Sequence, residues 1–238
     1  MNQTTLTVTI QRYQPEQKNE PFDQVFKIEK STLEQNETML LSLLQRLREQ
    51  DPSLSFRSSC QEGVCGSDGM NVNGKNRLSC ITPIAELGDE IVLRPLPGFP
   101  IIKDLIVDMT IFYEQYENMQ PQLHAQPEQP NQEHLQTPEQ RAKLDGHYEC
   151  ILCACCSSSC PSFWWNPDLF PGPAALLASH RFVVDSRDIM PIERLQELDK
   201  ADKLFRCRHI QNCTDACPKG LNPSRAIQQL KQLVVDKT

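Results

Sequence analysis

Cysteines in the second half of the chain stand at a spacing that binds iron–sulfur clusters. A first run, C-x2-C-x2-C-x3-C-P, is formed by Cys150, Cys153, Cys156, Cys160 and Pro161. A second run, with the same Cys-Pro ending but one cysteine fewer, is formed by Cys207, Cys213, Cys217 and Pro218. In bacterial two-cluster ferredoxins this spacing holds two clusters, and the cysteine before each proline binds the cluster of the other run. We therefore expect two clusters that exchange ligands between the runs.

Counting ligands predicts that the two clusters differ. The first is expected to be [4Fe–4S], with four thiolates from Cys150, Cys153, Cys156 and Cys217. The second receives only three thiolates, from Cys160, Cys207 and Cys213. Its fourth position in the spacing is Ile210, whose alkyl side chain cannot bind iron, so we expect a [3Fe–4S] cluster. Cys155 is out of phase with the spacing and is expected to be a small buried residue or a neighbour of the cluster sulfur.

A different cysteine motif lies in the first half. Its form is Cys60-x4-Cys65-x2-Asp68-x11-Cys80, the plant-type [2Fe–2S] spacing with aspartate in the third position. A carboxylate oxygen of Asp68 can serve as the fourth ligand, although it is a harder donor than thiolate. The alternative is that Asp68 only caps its own turn. Glycines in this loop permit positive φ angles and can aim backbone N–H groups at sulfur, namely Gly63, Gly66, Gly69 and Gly74.

Zinc is the alternative metal for these cysteines, and an ordinary glycine-rich turn with buried thiols is the alternative for the first motif. Structural zinc sites usually take ligands in pairs that close a tetrahedron. Three cysteines in one loop, completed by a distant Cys-Pro, match one face of an iron–sulfur cluster better.

Composition excludes some functions. The chain has 238 residues, eleven cysteines and a formal net charge of −7, which gives no support for nucleic-acid binding. The length and the two cysteine groups suggest two domains. The first residues do not resemble a secretory signal, so we expect reduced, metal-bound thiols. No run reaches the roughly 18 to 20 apolar residues of a membrane span, so membrane association would need partner subunits.

Periodicity predicts the elements that must position the first motif. Alternation of apolar and polar residues indicates strands at 4–12 and 24–29, and a short apolar run indicates a strand at 91–93. A helical period from 38 to 50 ends before Pro52. Strand, strand and helix in this order are the opening of a β-grasp fold.

The second half is expected to be helical, with its cysteines on the connections. The predicted helices cover 102–119, 174–184, 192–205 and 224–235. The last is preceded by a cap residue, Asn222, with proline behind it. Proline and glutamine dominate between 120 and 140, which predicts an external loop. The expected fold is α+β, with a β-grasp plant-type [2Fe–2S] ferredoxin domain at 1–103 and an all-α bacterial-type two-cluster ferredoxin domain at 104–238.

The ordered set of three motifs, with Cys160-Pro-Ser-Phe-Trp-Trp165 and Lys219-Gly-Leu-Asn-Pro223 among them, resembles the iron–sulfur subunit of bacterial succinate dehydrogenase, respiratory complex II. The likeness covers essentially the whole chain. It implies that electrons pass from FAD on a partner flavoprotein subunit through [2Fe–2S], [4Fe–4S] and [3Fe–4S] clusters to quinone, in the tricarboxylic acid cycle and the aerobic respiratory chain. This chain would hold the clusters and carry no catalytic residue for bond chemistry.

The resemblance also implies partners and a location. Two hydrophobic anchor subunits would hold the chain on the cytoplasmic face of the bacterial inner membrane, and haem b on those subunits is compatible with the scheme. The same subunit of a quinol:fumarate reductase is the related alternative, and a soluble ferredoxin-type carrier is the alternative from another class. The apolar stretch Phe163-Trp164-Trp165 favours a docking surface, and hence a complex, over a free carrier.

For quinone contact the family points to four residues, which are Trp165, Pro161, Ser162 and Ile210. An indole N–H can donate a hydrogen bond to a quinone oxygen. The alternative is that the tryptophans are core or interface residues, which we favour for Trp164.

The residue after Cys207 departs from the family pattern. Relatives often have histidine there, whereas this chain has Arg208 followed by His209. The sequence leaves open which of the two lies near quinone or a haem propionate.

Overall fold

The computed structural model describes residues 5–126 and 133–236. Two compact units are present, of which the first comprises Met1–Met109 together with Ile151–Ser158. The second comprises Thr110–Cys150 together with Ser159–Thr238. The segment that carries Cys153 and Cys156 therefore packs with the first unit.

Within the described residues the strands are β1 (Thr5–Gln14), β2 (Lys18–Glu29), β3 (Gly69–Val72), β4 (Lys75–Leu78), β5 (Glu90–Arg94), β6 (Ile101–Lys103) and β7 (Ile106–Val107). The helices are α1 (Leu40–Gln50), α2 (Thr110–Glu117), α3 (Pro138–Ala142), α4 (Cys155–Ser158), α5 (Pro161–Trp165), α6 (Gly172–Val184), α7 (Pro191–Leu198), α8 (Asn212–Asp215) and α9 (Pro223–Val235). Short 3-10 helices occur at Lys30–Thr32, Ser79–Ile81, Ile84–Glu86 and Leu204–Arg206.

The main sheet of the first unit has the strand order β2-β1-β5-β3-β4. Strand β1 pairs antiparallel with β2 and parallel with β5, while β3 pairs antiparallel with both β5 and β4. The buried face of β1 carries Leu6, Val8 and Ile10, as the alternation predicted. Helix α1 buries its leucine face, which confirms the predicted helix and its period.

Strand β2 is longer than predicted. It begins at Lys18 instead of residue 24 and passes through Pro21. Because β2 is an edge strand, a proline without an N–H can be accommodated there without breaking the sheet. The glycine-rich loop also contains an unpredicted hairpin, β3–β4, whose turn residues Asn73 and Gly74 both have positive φ.

The predicted helix over 102–119 is wrong in its first half. Strands β6 and β7 form a hairpin there, and the helix begins only at Thr110. At the turn, Asp104 has a φ of +46° and is 1% exposed. Its carboxylate accepts hydrogen bonds from the N–H groups of Tyr13 and Ser55. A buried carboxylate with these partners ties the turn to the sheet, and a straight helix would not allow that.

The regular elements described in the second unit are helical. Helix α6 and helix α9 confirm the predictions for 174–184 and 224–235, and Asn222 caps α9 by accepting from the Arg225 N–H. The helix predicted for 192–205 ends earlier, at Leu198. In the predicted loop, residues 120–126 and 133–137 form no helix or strand, α3 follows, and 127–132 lie outside the described residues.

Nowhere in the described ranges is there a helix of sufficient length and apolar character to cross a membrane.

Arg12 is a fully buried charge in the first unit, at 0% exposure. Its guanidinium donates to Asp104 at 2.9 Å, to Asp51 at 3.0 Å and to Ser53 at 2.8 Å, and also to Gln24. Hydrogen bonds from Ser53 and Gln24, and then from Arg12, hold the pKa of the Asp51 carboxyl below its usual range although burial opposes this. The network joins β1 to the end of α1 and to the β6–β7 turn.

Replacing Arg12 with alanine should lower the free energy of unfolding by about 3–5 kcal/mol, because two carboxylates lose their buried cationic partner. A urea titration of the purified full chain measures this loss. The matched control is Arg94→Ala, since Arg94 pairs with Asp23 at 3.5 Å with both side chains 48% exposed. That variant should cost less than about 1 kcal/mol. Equal urea midpoints for the two variants would contradict the role assigned to Arg12.

Candidate iron–sulfur centres

Left-handed backbone is concentrated in the cysteine loops. Of the eight non-glycine residues with positive φ in the described part, five lie inside these loops, namely Gln61, Leu152, Ala154, His209 and Gln211. Such residues cost roughly 1–2 kcal/mol each relative to ordinary backbone. Alternation with right-handed residues turns successive N–H groups to one side and forms an anion-binding concavity. Each loop is therefore shaped to surround negatively charged sulfur.

In the first loop the thiol of Cys60 is the centre of this concavity. It accepts hydrogen bonds from the backbone N–H groups of Glu62 at 3.5 Å, Val64 at 3.3 Å and Cys65 at 3.2 Å. Gly63 has a φ of +73°, which turns the backbone so that these N–H groups point at the Cys60 sulfur. The expected N–H-lined loop is thus confirmed.

The other two cysteines of this motif have opposite electrostatic surroundings. Burial raises the pKa of Cys65, but hydrogen bonds with Ser67 and Cys60 outweigh it and lower that pKa to about 7. Burial, followed by the neighbouring Asp68 carboxylate, raises the pKa of Cys80 to about 12. A bound cation would remove the penalty on the Cys80 thiolate, because metal coordination deprotonates thiols.

Asp68 and Cys80 stand at the open end of the β3–β4 hairpin. Gly69 pairs with Leu78, so the residue before β3 and the residues after β4 are adjacent. One carboxylate oxygen of Asp68, Oδ2, accepts from the Cys80 N–H at 2.6 Å and the Ser79 hydroxyl at 3.0 Å.

The other oxygen, Oδ1, is buried and has no hydrogen-bond partner among the described residues, while Asp68 is 3% exposed. A buried acceptor without a partner is costly, which fits a ligand position. The Asx-turn alternative leaves this atom unexplained.

The second loop carries Cys153 and Cys156 in the first unit. Leu152 and Ala154 have φ values of +54° and +61°, on either side of Cys153. A hydrogen bond with the Cys155 side chain, and then one with the Cys155 backbone, lower the pKa of Cys153 although burial raises it. Cys155 itself is 0% exposed, as expected for a small buried residue.

The remaining cysteines predicted for [4Fe–4S], Cys150 and Cys217, belong to the second unit. Both pack against one apolar cluster made of Leu177, Leu221 and Ala226. The structure thus places Cys150 and the distant Cys217 against a common surface, as ligand exchange between the two runs requires.

The third loop surrounds a cavity in the second unit. The three cysteines predicted for [3Fe–4S] line this small cavity, and so do Pro161, Ser162, Arg208, His209 and Ile210. Burial raises the pKa of Cys160, and burial with the neighbouring Cys160 and Cys207 thiols raises that of Cys213 to about 11. A bound cation would offset these effects on Cys160 and Cys213, because metal coordination deprotonates thiols.

The structure brings together only some of the residues predicted to contact quinone. Pro161, Ser162 and Ile210 line the cavity, whereas Trp165 is 79% exposed and lies at the end of α5 outside that lining. Trp164 is 38% exposed, so neither tryptophan is a core residue of this chain. Both remain on the surface beside the third loop.

Sequence reasoning missed Lys231 on α9. Its ammonium donates to the Cys207 carbonyl at 2.9 Å and lies 3.2 Å from His209 Nε2. Burial, and then this positive charge, lower the pKa of His209. The local sequence carries no signal for this contact, because Lys231 and Cys207 are 24 residues apart in the chain.

No group of three or more His, Cys, Asp or Glu side chains in residues 5–126 and 133–236 is arranged to hold a single metal ion. All eleven cysteines lie in this part and are free thiols.

Comparisons with known proteins also indicate iron–sulfur cluster domains. A family model described as a 2Fe-2S iron-sulfur cluster binding domain matches residues 7–114, and one described as a 4Fe-4S dicluster domain matches residues 149–222. The succinate dehydrogenase iron-sulfur subunit of Coxiella burnetii is 54% identical over 98% of this chain and 98% of its own length. The mitochondrial iron-sulfur subunit 1 of rice succinate dehydrogenase is 48% identical over 98% of this chain and 83% of its own.

A solved structure has the same fold. A chain of the Mycobacterium smegmatis Sdh1 complex in the apo form superposes with a TM-score of 0.85, at 23% identity, over 98% of this chain and 97% of that one. A mixed sheet with a [2Fe–2S] domain, followed by a helical 4Fe–4S dicluster domain, defines an iron–sulfur electron-transfer protein. More particularly, the chain belongs to the family of succinate dehydrogenase iron–sulfur subunits, and it is a component of that oxidoreductase.

Asp68 gives a direct test of the first centre. Asp68→Ala should abolish the [2Fe–2S] EPR signal, whereas Asp68→Cys should retain a signal with altered g values and potential, because thiolate is a softer donor than carboxylate. Asp89→Ala is the control, since that carboxylate is surface-exposed and pairs with Lys30. An unchanged signal in Asp68→Ala would show that the carboxylate is not a ligand.

Proposed function

We propose that this chain carries electrons from FAD of a partner flavoprotein subunit to quinone, as the electron-transfer subunit of a succinate:quinone oxidoreductase in the tricarboxylic acid cycle and aerobic respiratory chain. Each cluster, when bound, supplies a centre that takes up and releases single electrons. The protein's part is to hold these centres and to tune them by ligand type, burial and N–H donors. No residue of this chain acts on the dicarboxylate.

The proposed ligand sets follow the three loops. The [2Fe–2S] cluster is held by Cys60, Cys65, Asp68 and Cys80. The [4Fe–4S] cluster is held by Cys150, Cys153, Cys156 and Cys217, and the [3Fe–4S] cluster by Cys160, Cys207 and Cys213. The buried Asp68 oxygen without a partner supports the first set, and the common packing of Cys150 with Cys217 supports the second.

One observation carries the proposal furthest, which is the cavity of the third loop. Three cysteines share it with Ile210, the residue that cannot bind iron, and with Pro161 and Ser162. The N–H groups of Ser162 and Phe163 at the start of α5 hydrogen-bond the Cys160 sulfur. We assign the third cysteine loop to quinone reduction, because the proposed cluster there lies beside solvent-exposed side chains such as Ile210 and Trp165.

Exposed aromatic side chains at this end support assembly with other subunits. Trp165 at 79%, Trp164 at 38% and Phe205 at 36% exposure are unusual for the surface of a free-standing carrier. We assign this surface to the two hydrophobic anchor subunits, with haem b where those subunits bind it. They would hold the chain on the cytoplasmic face of the inner membrane.

The first unit fits the β-grasp class of the proposal. Its β1–β2 hairpin leads into α1, and β5 returns parallel to β1 at the centre of the sheet. The second unit, helical in its described elements, fits the all-α two-cluster ferredoxin class.

Ile210 provides a test of the three-iron assignment. Ile210→Cys would complete the spacing and should convert the third centre to four irons, with loss of the signal of the oxidised three-iron cluster and gain of one iron per chain. EPR and iron analysis of the complex purified under nitrogen measure both.

The matched control is Arg208→Cys, which adds a thiol to the same cavity lining out of register with the motif. It should keep the oxidised three-iron signal. Absence of the oxidised three-iron signal from the unsubstituted complex would contradict the assignment.

Trp165 provides a test of the quinone end. Trp165→Leu should lower kcat/KM for quinone roughly fivefold to tenfold, the effect of one lost hydrogen bond of about 1 kcal/mol. Phenazine-mediated succinate oxidation should stay unchanged, because it does not use this end.

Trp164→Leu is the control on the same helix and should affect quinone reduction less. Equal loss of both activities in Trp165→Leu would indicate damage to folding or assembly and would count against quinone contact.

A further inference from the structure

The loop after Cys65 lies directly against the loop that carries Cys153. A Cβ atom added at Gly66 would lie 2.8 Å from the Ile151 carbonyl oxygen and 2.9 Å from Cys153 Cβ. Real Cβ atoms do not approach other heavy atoms so closely, so the two backbones already touch at van der Waals distance. All of these residues belong to the first unit.

Gly69 makes a second contact of the same kind at the start of β3. A Cβ there would lie 3.1 Å from the Cys153 carbonyl oxygen and 3.5 Å from Cys155 Sγ. Its φ lies outside the left-handed region, so backbone conformation does not require glycine at this position. The close approach of the Cys153 loop is therefore the remaining physical reason for a residue without a side chain at position 69.

Asn76 on β4 supplies a polar contact beside these two. Its amide donates to the Cys155 carbonyl at 3.1 Å and to the Ser158 hydroxyl at 2.8 Å, and its own oxygen accepts from Asn71 at 2.8 Å. The side chain is 6% exposed, so these hydrogen bonds are shielded from water. They fix helix α4, which contains Cys156, to the β3–β4 hairpin.

We infer that Gly66, Gly69 and Asn76 form a seat for the Cys153 loop, and that Gly66 is the positioning residue that sets the separation between the [2Fe–2S] and [4Fe–4S] centres. The inference rests on the proposed clusters at both loops. A side chain at position 66 would push the Cys153 loop away and lengthen the distance between the two centres. Because the rate of electron transfer falls steeply with that distance, glycine at this position keeps transfer fast. The seat also explains why Ile151–Ser158 packs with the first unit.

The test is Gly66→Ala in the full chain, purified with its partner subunits under nitrogen. Reduction of the [4Fe–4S] cluster speeds the spin relaxation of the reduced [2Fe–2S] cluster, and this effect falls steeply with their distance. We expect the half-saturation power of the [2Fe–2S] EPR signal to drop several-fold in Gly66→Ala, or the [4Fe–4S] signal to disappear while the [2Fe–2S] signal remains.

Gly88→Ala is the matched control. Gly88 lies in the same unit outside the cysteine loops and has a φ of +75°, close to the +69° of Gly66, but an added Cβ meets nothing within 4 Å. This variant carries the same backbone strain without the contact, so it should keep both signals and the unsubstituted relaxation. Indistinguishable behaviour of Gly66→Ala and Gly88→Ala would overturn the inference.

Two further variants test the inference if the Gly66→Ala protein does not fold or cannot be purified. Gly69→Ala adds a side chain against Cys153 without left-handed strain, and Asn76→Leu removes the hydrogen bonds at similar volume. Each should lower the half-saturation power or the [4Fe–4S] content in the same direction, and unsubstituted values in both would overturn the seat. Absence of both cluster signals from the unsubstituted complex would instead overturn the proposed function.

Discussion

The structure depends on backbone N–H groups that point inward at the cysteine sulfurs. Ordinary right-handed or extended backbone cannot turn consecutive N–H groups to one side, so the loops adopt left-handed angles at residues such as Leu152 and His209. These residues are strained by roughly 1–2 kcal/mol each, and strain of this kind persists only where the surrounding structure fixes it. The concentration of such strain in the three cysteine loops is a physical sign of function that no single thiol provides.

The rest of the fold supports this backbone. The β3–β4 register places Asp68 next to Ser79 and Cys80, so a sheet, rather than a flexible loop, positions two of the four proposed ligands of the first cluster. The buried Arg12 network fixes that sheet to α1. In the second unit, Lys231 donates to the Cys207 carbonyl, and α5 begins directly after Cys160 and directs its first N–H groups to that sulfur. Rigid elements thus position the cysteines that we propose as ligands.

Local patterns in the sequence were sufficient to predict the family and several of the helices and strands. The cysteine spacings identified the family, and periodicity located β1, α1, α6 and α9. The β6–β7 hairpin was mistaken for helix because apolar residues in a short run satisfy both periods. The turn at Asp104 is held by partners that are distant in sequence, namely Arg12, Tyr13 and Ser55. The packing of Ile151–Ser158 with the first unit was equally invisible, since it depends on Gly66 and Asn76, which are far away in sequence.

We propose that the three cysteine loops hold three different clusters in series. A redox titration of the purified complex, followed by EPR, tests this most directly. Three such clusters should give three separately titrating signals. Two should appear on reduction, from [2Fe–2S] and [4Fe–4S], and one should be present only in the oxidised state, from [3Fe–4S]. A colourless zinc-containing protein, or a third loop whose signal appears only on reduction, would contradict it.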